Sequence, residues 1–406
     1  MPDFARSDDP AVQAQLDRLT LLSPGGDRLG LDRITRLLDR LGRPQDALPP
    51  AFHVAGTNGK GSTCAFLRSA LEASGRTVHV FTSPHLVRFN ERIRIAGRLI
   101  DNGLLASLLA EVLDAGGDIE ASFFEVTTAA AFLAFARSPA DAAVIEVGLG
   151  GRLDSTNVLE HSLACGIAAL GIDHQQFLGS SLVEIAAEKA GIAKPDVPLV
   201  VLGQREEAED TILRVAKERG APVLLEGRDW TVDPTLRSSL LGDHQVRNAN
   251  LAWQMLQAQE RLPVGRASFL SGLTSAQWPA RFQQLADGPL THGVETWLDG
   301  AHNLEAARAL ATLLADHGAK HVVIGILANK DAGAIVGALA PHALSFTFVP
   351  VGDHAHHDPQ ELASRFDGRA AGSLADALDA LPAPRLIAGS LYLAGEALRL
   401  NGQTPD

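Results

Sequence analysis

The stretch AFHVAGTNGKGSTCAFL, Ala51 to Leu67, runs from an apolar strand through a glycine turn into a helix. Gly56, Gly59 and Gly61 lack side chains, so backbone N–H groups can close on a polyphosphate while the following helix aims the positive end of its dipole at the same place. Lys60 adds a full positive charge. The match to the nucleotide loop G-x-x-x-x-G-K-[ST] is imperfect, with Val54 at the first glycine position and Gly61 where Ser or Thr usually follows the lysine. Ser62 and Thr63 come next and offer the hydroxyl. The competing reading is a glycine-rich strand-to-helix turn with an exposed lysine.

At 406 residues the chain is about twice an ordinary domain, which predicts two domains. Hydrophobic residues at 46% and charged ones at 20% fit a soluble globular enzyme. The opening MPDFARSDDPAV lacks the basic start and apolar core of a secretion signal, and no apolar run reaches a membrane span, so a cytoplasmic protein is expected. Cys64 and Cys165 have no metal-type spacing and read as buried free thiols. A net charge of -13 argues against nucleic acid as a partner and leaves anionic small molecules open if basic side chains gather locally.

Outward from the glycine loop, Asp27 to Pro44 has helical spacing at Ile34, Leu37, Leu38 and Leu41, and TVHVFTS (77–83) is a second strand. Strand, helix and strand in that order imply a parallel sheet with a right-handed crossover. SPHLVRFNERIRIAG (83–97) breaks the pattern and reads as an ordered functional loop with Arg88, Arg92 and Arg94 packed around Glu91, or else as a solvated charged connection. Helices are expected at 101–114 and 125–137. The apolar strand beginning at Ala142 carries Glu146 near its carboxyl end, where ligands of open α/β sheets sit; a structural ion pair is the alternative. A second buried strand from Leu163 leads to Asp173-His174, and His174 reads as a ligand or a helix-capping residue.

The helix holding Glu188-Lys189 comes next, then strands PLVVLG and APVLLEG, then a helix from Asp243 whose polar start contains Gln245, Arg247 and Asn248. Trp278 to Gly293 lacks periodicity and is taken as the domain junction, dividing 1–287 from 288–406. Beyond it strands and helices alternate again through 385–390 and a last helix. The histidine-rich VGDHAHHD (351–358) reads as a surface loop rather than a metal site. The expected fold is α/β: a P-loop-type, mostly parallel ATPase domain followed by a smaller Rossmann-like domain.

Taken together, GTNGKGST (56–63), TSPHLVRFNERI (82–93), EVGLGGRLDSTN (146–157), GIDHQQFLG (171–179), IAAEKAGIAKP (185–195), HQVRNA (244–249), ARF (280–282) and DGAHN (299–303) resemble the folylpolyglutamate synthase/dihydrofolate synthase family. That family is a branch of the Mur ligase superfamily of ATP-dependent amide-forming enzymes. The resemblance covers nearly the whole chain. It implies a monomer that uses ATP and Mg²⁺ to add L-glutamate to dihydropteroate, to the γ-carboxylate of reduced folates, or to both, through an acyl phosphate formed in an interdomain cleft. Thr57, Asn58, Gly59, Lys60, Gly61 and Ser62 would hold the ATP phosphates, and Ser83, Glu146 and His174 would bind Mg²⁺. Lys189 would be carbamylated. Asn248, Arg281 and Asp299 would contact the nucleotide, and His302 and Ser390 would lie near the amino acid or the transferred phosphoryl. Leu29, Gly30, Leu31, the loop after Ser83, Phe124 and Asp154 would hold the pterin. Ala280, Leu304 and Ala328-Asn329 depart from the family pattern, the last leaving the role of Lys330 open. A peptidoglycan-precursor ligase and a non-ligating NTPase switch are the competing functions.

Overall fold

A computed structural model describes residues 6–22 and 29–406, so the first five residues of the N-terminal stretch, and Asp27 and Arg28 of the expected helix, lie outside it. The chain forms two compact units. The first comprises the residues up to Ser239 together with Gln245–Ala276 and Asp406; the second comprises Leu240–His244 and Gln277–Pro405.

The first unit is built on an eight-stranded sheet: β1 (Ala51–Ala55), β2 (Val78–Phe81), β3 (Ile93–Ile95), β4 (Arg98–Leu99), β5 (Ala142–Glu146), β6 (Ser162–Ile167), β7 (Leu199–Val201) and β8 (Val223–Leu225). Its spatial order is β4-β3-β2-β5-β1-β6-β7-β8, with antiparallel pairing only at β2–β3 and β3–β4. Every residue of β1 and β5 is buried, the signature of parallel strands covered on both faces. One face is covered by Pro10–Thr20, Asp32–Arg40, Asn102–Ala115 and Phe123–Arg137, and its core includes Leu16, Leu37, Leu109, Phe132 and Ile145. Leu182–Ala190 and Glu206–Glu218 cover part of the other.

The helix Arg266–Ser275 packs on Lys60–Ala73 at a close crossing, where a Cβ added to Gly272 would lie 2.6 Å from the Ala70 nitrogen. Only glycine permits that approach. Pro10–Thr20, Glu206–Glu218 and Arg266–Ser275 are additions to the sequence expectation, as is the β3–β4 hairpin within the segment read as a loop.

The arrangement expected around Glu91 is corrected. Its carboxylate accepts the backbone N–H groups of Leu86, Val87 and Arg88, whereas Arg92 donates to His85 Nδ1 and Arg94 to the Gly97 carbonyl. A single acceptor-only side chain thereby satisfies three loop amides that no strand pairs, and the Arg88 charge also acts on its carboxylate.

The second unit has six strands, β9 (Gln283–Gln284), β10 (Thr296–Leu298), β11 (Lys320–Ile324), β12 (Ala343–Phe348), β13 (Arg369–Ala370) and β14 (Arg385–Ala388), in the order β13-β12-β11-β14-β10-β9. Pairing is parallel except at β9–β10. Leu304–His317, Ala332–Leu339 and Leu391–Leu400 are among its helices, and its core contains Leu310, Val322, Ile324, Phe348 and Leu386. The α/β fold with two largely parallel sheets agrees with the sequence reading.

Candidate active site

β1 lies between β5 and β6, and the parallel register sets Val54 against Glu146 and Ala55 against Ile167. The glycine loop, the Glu146 carboxylate and the segment after β6 therefore leave the sheet at one edge, the carboxyl ends of the strands. Thr57 N and Asn58 N both donate to the Ala169 carbonyl, and Thr57 Oγ1 exchanges hydrogen bonds with the backbone of Gly171, so the segment after β6 braces the loop.

Two glycines here are sterically required. A Cβ on Gly56, at φ +152°, would meet the Ala168 Cβ at 2.8 Å; one on Gly59, at φ +93°, would meet Asn248 Oδ1 at 2.4 Å. Asn248 is buried against Gly59 and donates to Gln245 Oε1. Gly59 caps the helix Lys60–Ala73 with no side-chain hydrogen bond, which leaves the first N–H groups free of a side-chain acceptor. The Ser62 hydroxyl in the first turn is 1% exposed and has no partner. A buried hydroxyl without a partner at an uncapped helix N-terminus fits a ligand oxygen, and these residues fit a polyphosphate.

Lys60 Nζ lies 4.0 Å from Glu146 Oε1 and 3.4 Å from the Thr57 carbonyl. Ser83 N donates to Glu146 Oε2 at 3.4 Å, so two of the three expected metal ligands come together; His174 is exposed, in the left-handed region at φ +52°, and opens the short helix Gln175–Leu178. Among the described residues no group of three or more His, Cys, Asp or Glu forms a metal cage. One carboxylate with a hydroxyl and an imidazole suits Mg²⁺, which keeps waters and takes phosphate oxygens rather than an all-protein shell.

Lys189 is buried and donates to the Gly56 carbonyl at 2.8 Å. Burial, helped by the nearby Lys60 charge and opposed by Asp173, Asp154 and Glu188, brings its ammonium pKa down to about 7. An amine near that value is substantially neutral at physiological pH and nucleophilic. Asp173, buried next to the exposed His174, belongs to this cluster; its only sequence signal was its place after a buried strand.

Phe124 and Asp154 also converge. The Phe124 ring sits on Gly148, where an added Cβ would be 2.3 Å from its Cζ, and the next residue, Leu149, donates its N–H to Asp154 Oδ2. Burial raises the Asp154 carboxyl pKa while bonds from Thr156 and Leu149 oppose the rise. Leu29, Gly30 and Leu31 precede the helix Asp32–Arg40, and Arg33 ties that helix to Glu125, beside Phe124, with a 3.0 Å ion pair.

Arg281, Asp299, His302 and Ser390 belong to the second unit. Asp299 follows β10; its Oδ2 accepts Phe282 N and its Oδ1 accepts Ala301 N. Burial raises its pKa, and Arg281 is the leading opposing charge. A Cβ on Gly300 would lie 3.0 Å from an Arg281 guanidinium nitrogen. His302 Nδ1 pairs with the Gly300 carbonyl, and Ser390, nearly fully buried, caps Leu391–Leu400 by accepting Tyr392 N. Ala280, at the expected glycine position, has φ +57°, the left-handed conformation that explains a preference for glycine there. In the histidine-rich loop His354 stacks on Tyr392 and His357 contacts the Lys330 carbonyl.

No protein-family model matches the chain. The dihydrofolate synthase/folylpolyglutamate synthase of Bacillus subtilis (strain 168) is 37% identical over 361 residues, 80% of this chain and 82% of that protein. A solved structure of Mycobacterium tuberculosis folylpolyglutamate synthase complexed with ADP and AMPPCP is similar with a TM-score of 0.88 at 30% identity, covering 98% of this chain and 100% of that one. The bifunctional folylpolyglutamate synthase/dihydrofolate synthase of Yersinia pestis complexed with AMPPNP and Mn ion gives a TM-score of 0.86 at 29% identity over 97% and 99% of the two chains.

Proposed function

Because the chain belongs to the dihydrofolate synthase/folylpolyglutamate synthase family, we propose that the edge at β1, β5 and β6 is where ATP activates a pteroyl carboxylate for attack by L-glutamate. The protein is an ATP-dependent glutamate ligase. Its acceptors in this reading are dihydropteroate, the γ-carboxylate of reduced folates, or both, and it acts as a cytoplasmic monomer. The observation that supports the reading most directly is the uncapped helix Lys60–Ala73 with its partnerless, buried Ser62 hydroxyl.

A carboxylate accepts an amine poorly because oxide is a poor leaving group. Transfer of the ATP γ-phosphoryl gives an acyl phosphate; the glutamate amine then attacks, a tetrahedral intermediate forms and phosphate departs. Gly59, Lys60, Gly61 and Ser62 hold the phosphates by backbone amides, one cation and a hydroxyl; Thr57 and Asn58, whose amides the Ala169 carbonyl takes, shape the loop around them, and Asn248 orients the nucleotide beside Gly59. Lys60 offsets charge on the γ-phosphate as the carboxylate approaches in line. Ser83, Glu146 and His174 would hold Mg²⁺, which when bound neutralises phosphate charge. Phe124 and Asp154, with Leu29, Gly30 and Leu31, position the pteroyl group. Arg281, Asp299, His302 and Ser390 are assigned to the nucleotide, the glutamate or the transferred phosphoryl.

Lys189 carries a carbamate in this reading. Its neutral amine adds CO₂ and releases a proton, and the new anion replaces repulsion from Lys60 with attraction. An ATP-consumption assay with dihydropteroate and with tetrahydrofolate, each with and without L-glutamate, tests the function. Phosphate release that needs both a pteroyl acceptor and glutamate is expected. Release without either would instead favour the NTPase switch, and dependence on a UDP-linked sugar peptide would favour the peptidoglycan ligase.

A further inference from the structure

His53 is the one polar side chain inside β1 and is fully buried. Its neighbours along the strand are Phe52 and Val54, so the position would suit an apolar residue as a matter of packing alone. Yet its Nε2 lies 2.9 Å from Thr156 Oγ1, a contact across 103 residues of sequence. The Thr156 hydroxyl in turn bonds Asp154 Oδ1, and Thr156 N donates to the same oxygen at 3.0 Å.

Proton bookkeeping fixes the direction. A carboxylate only accepts, so the single hydroxyl proton of Thr156 goes to Asp154, and Thr156 Oγ1 must accept from His53. His53 is therefore the Nε2–H tautomer, with a bare Nδ1 that is buried and has no partner. Burial also holds the imidazole neutral, its pKa lowered to about 3. The chain of donation runs His53 to Thr156 to Asp154, each bond polarising the next toward the carboxylate.

The other carboxylate oxygen accepts Leu149 N at 2.8 Å, next to Gly148 on which Phe124 rests. We propose that His53 and Thr156 are positioning residues that fix the Asp154 carboxylate in the rotamer that meets the N–H donors of the pteroyl substrate. Neither touches that substrate. The inference rests on the reading of Asp154 as a substrate-binding carboxylate, made above. It adds a second layer to that reading: pteroyl affinity is set partly from within the central strand.

The test is steady-state kinetics of purified full-length variants, with KM measured separately for dihydropteroate, ATP and L-glutamate. Thr156→Val keeps the shape and removes the hydroxyl; it is expected to raise KM for dihydropteroate about tenfold or more, with KM for ATP changed less than about twofold. Thr156→Ser restores the hydroxyl and should recover most of the loss. His53→Phe should reproduce the valine phenotype, and His53→Gln, which keeps an N–H donor, should be milder. The His53 pair decides the point if Thr156→Val does not fold. Equal KM values for dihydropteroate in Thr156→Val and Thr156→Ser, or equal values in His53→Phe and His53→Gln, would overturn the relay, as would a parallel rise in KM for ATP. Asp154→Asn separates the two levels. If it leaves KM for dihydropteroate unchanged, the substrate-binding reading itself fails; if it raises KM while the relay variants do not, only the relay fails.

Discussion

Replacing Lys189 by methionine should stabilise the ligand-free protein in acid and abolish its activity. The side chain is buried, and its ammonium pKa falls from 10.5 to about 7 because burial, then the Lys60 charge, outweigh Asp173, Asp154 and Glu188. Between these values the unfolded chain binds a proton that the folded protein does not, so stability rises with pH across that window. Below about pH 7 both states are protonated and the cost of burying the cation is complete; above 10.5 both are neutral and the cost is gone. A drop from 10.5 to about 7 corresponds to about 5 kcal/mol. Methionine keeps the apolar stem but loses the bond to the Gly56 carbonyl, worth about 1 kcal/mol, so a net gain of about 3–4 kcal/mol is expected at pH 6. For a unit of this size that raises Tm by about 6–8 °C. Thermal unfolding of wild type and Lys189→Met, in CO₂-free buffer without nucleotide from pH 6 to 9.5, should show the difference largest at pH 6 and shrinking steadily above pH 7. A variant less stable than wild type at pH 6, or a difference that does not change with pH, would refute the reasoning.

Lys60→Ala should lower ligation by about 10²-fold or more while leaving circular dichroism unchanged, since the side chain serves charge on the phosphates rather than packing; near-normal turnover would dismiss the cradle. Gly59→Ala forces a residue with φ +93° to carry a Cβ 2.4 Å from Asn248 Oδ1, which should cost about 1–2 kcal/mol by thermal melt and raise KM for ATP. Adding Asn248→Ala should relieve the clash but not the backbone strain, so stability recovers in part and ATP affinity does not; recovery of ATP affinity would show that Asn248 is not a nucleotide contact. Gly148→Ala places a methyl 2.3 Å from Phe124 Cζ, so KM for dihydropteroate should rise with KM for ATP unchanged, read in the same assay.

The strand, glycine turn and helix start at residues 51–67 were legible because their information is local. Glycine freedom, a lysine and a hydroxyl lie within one turn, and the structure keeps Gly59 and Lys60 at the start of the helix the motif announced. The buried parallel strands β1, β2, β5, β6, β7, β8, β10, β11, β12 and β14 were equally legible, since such strands read as short apolar runs, whereas the short edge strands β9 and β13 gave no such run. What failed was information carried by pairing. The β3–β4 hairpin hides in a charged segment because an edge hairpin need not alternate cleanly, and the loop amides that Glu91 accepts leave no mark in the sequence. Arg266–Ser275 has no marked apolar stripe, because Gly272 allows a close backbone approach instead of a broad side-chain face. Lys189 and Gly56 are 133 residues apart, and nothing at either position announces their bond.

In the proposed reaction the same distances give a divalent cation a task beside that of Lys60. Lys60 stands 4.0 Å from Glu146, so part of its charge is already balanced before any phosphate arrives. Around Lys189 lie Asp154, Asp173 and Glu188, the last also paired with Arg152 at 2.6 Å. With Lys189 neutral, the local balance is negative, and a carbamate would make it more so. A triphosphate entering alone would meet carboxylates at short range, where poorly screened repulsion opposes the pull of the helix end. Glu146, placed by the β1–β5 register at the loop's own level, is in the proposed reading not a defect in the cradle but its counterpart: it would hold the positive charge that the nucleotide brings with it.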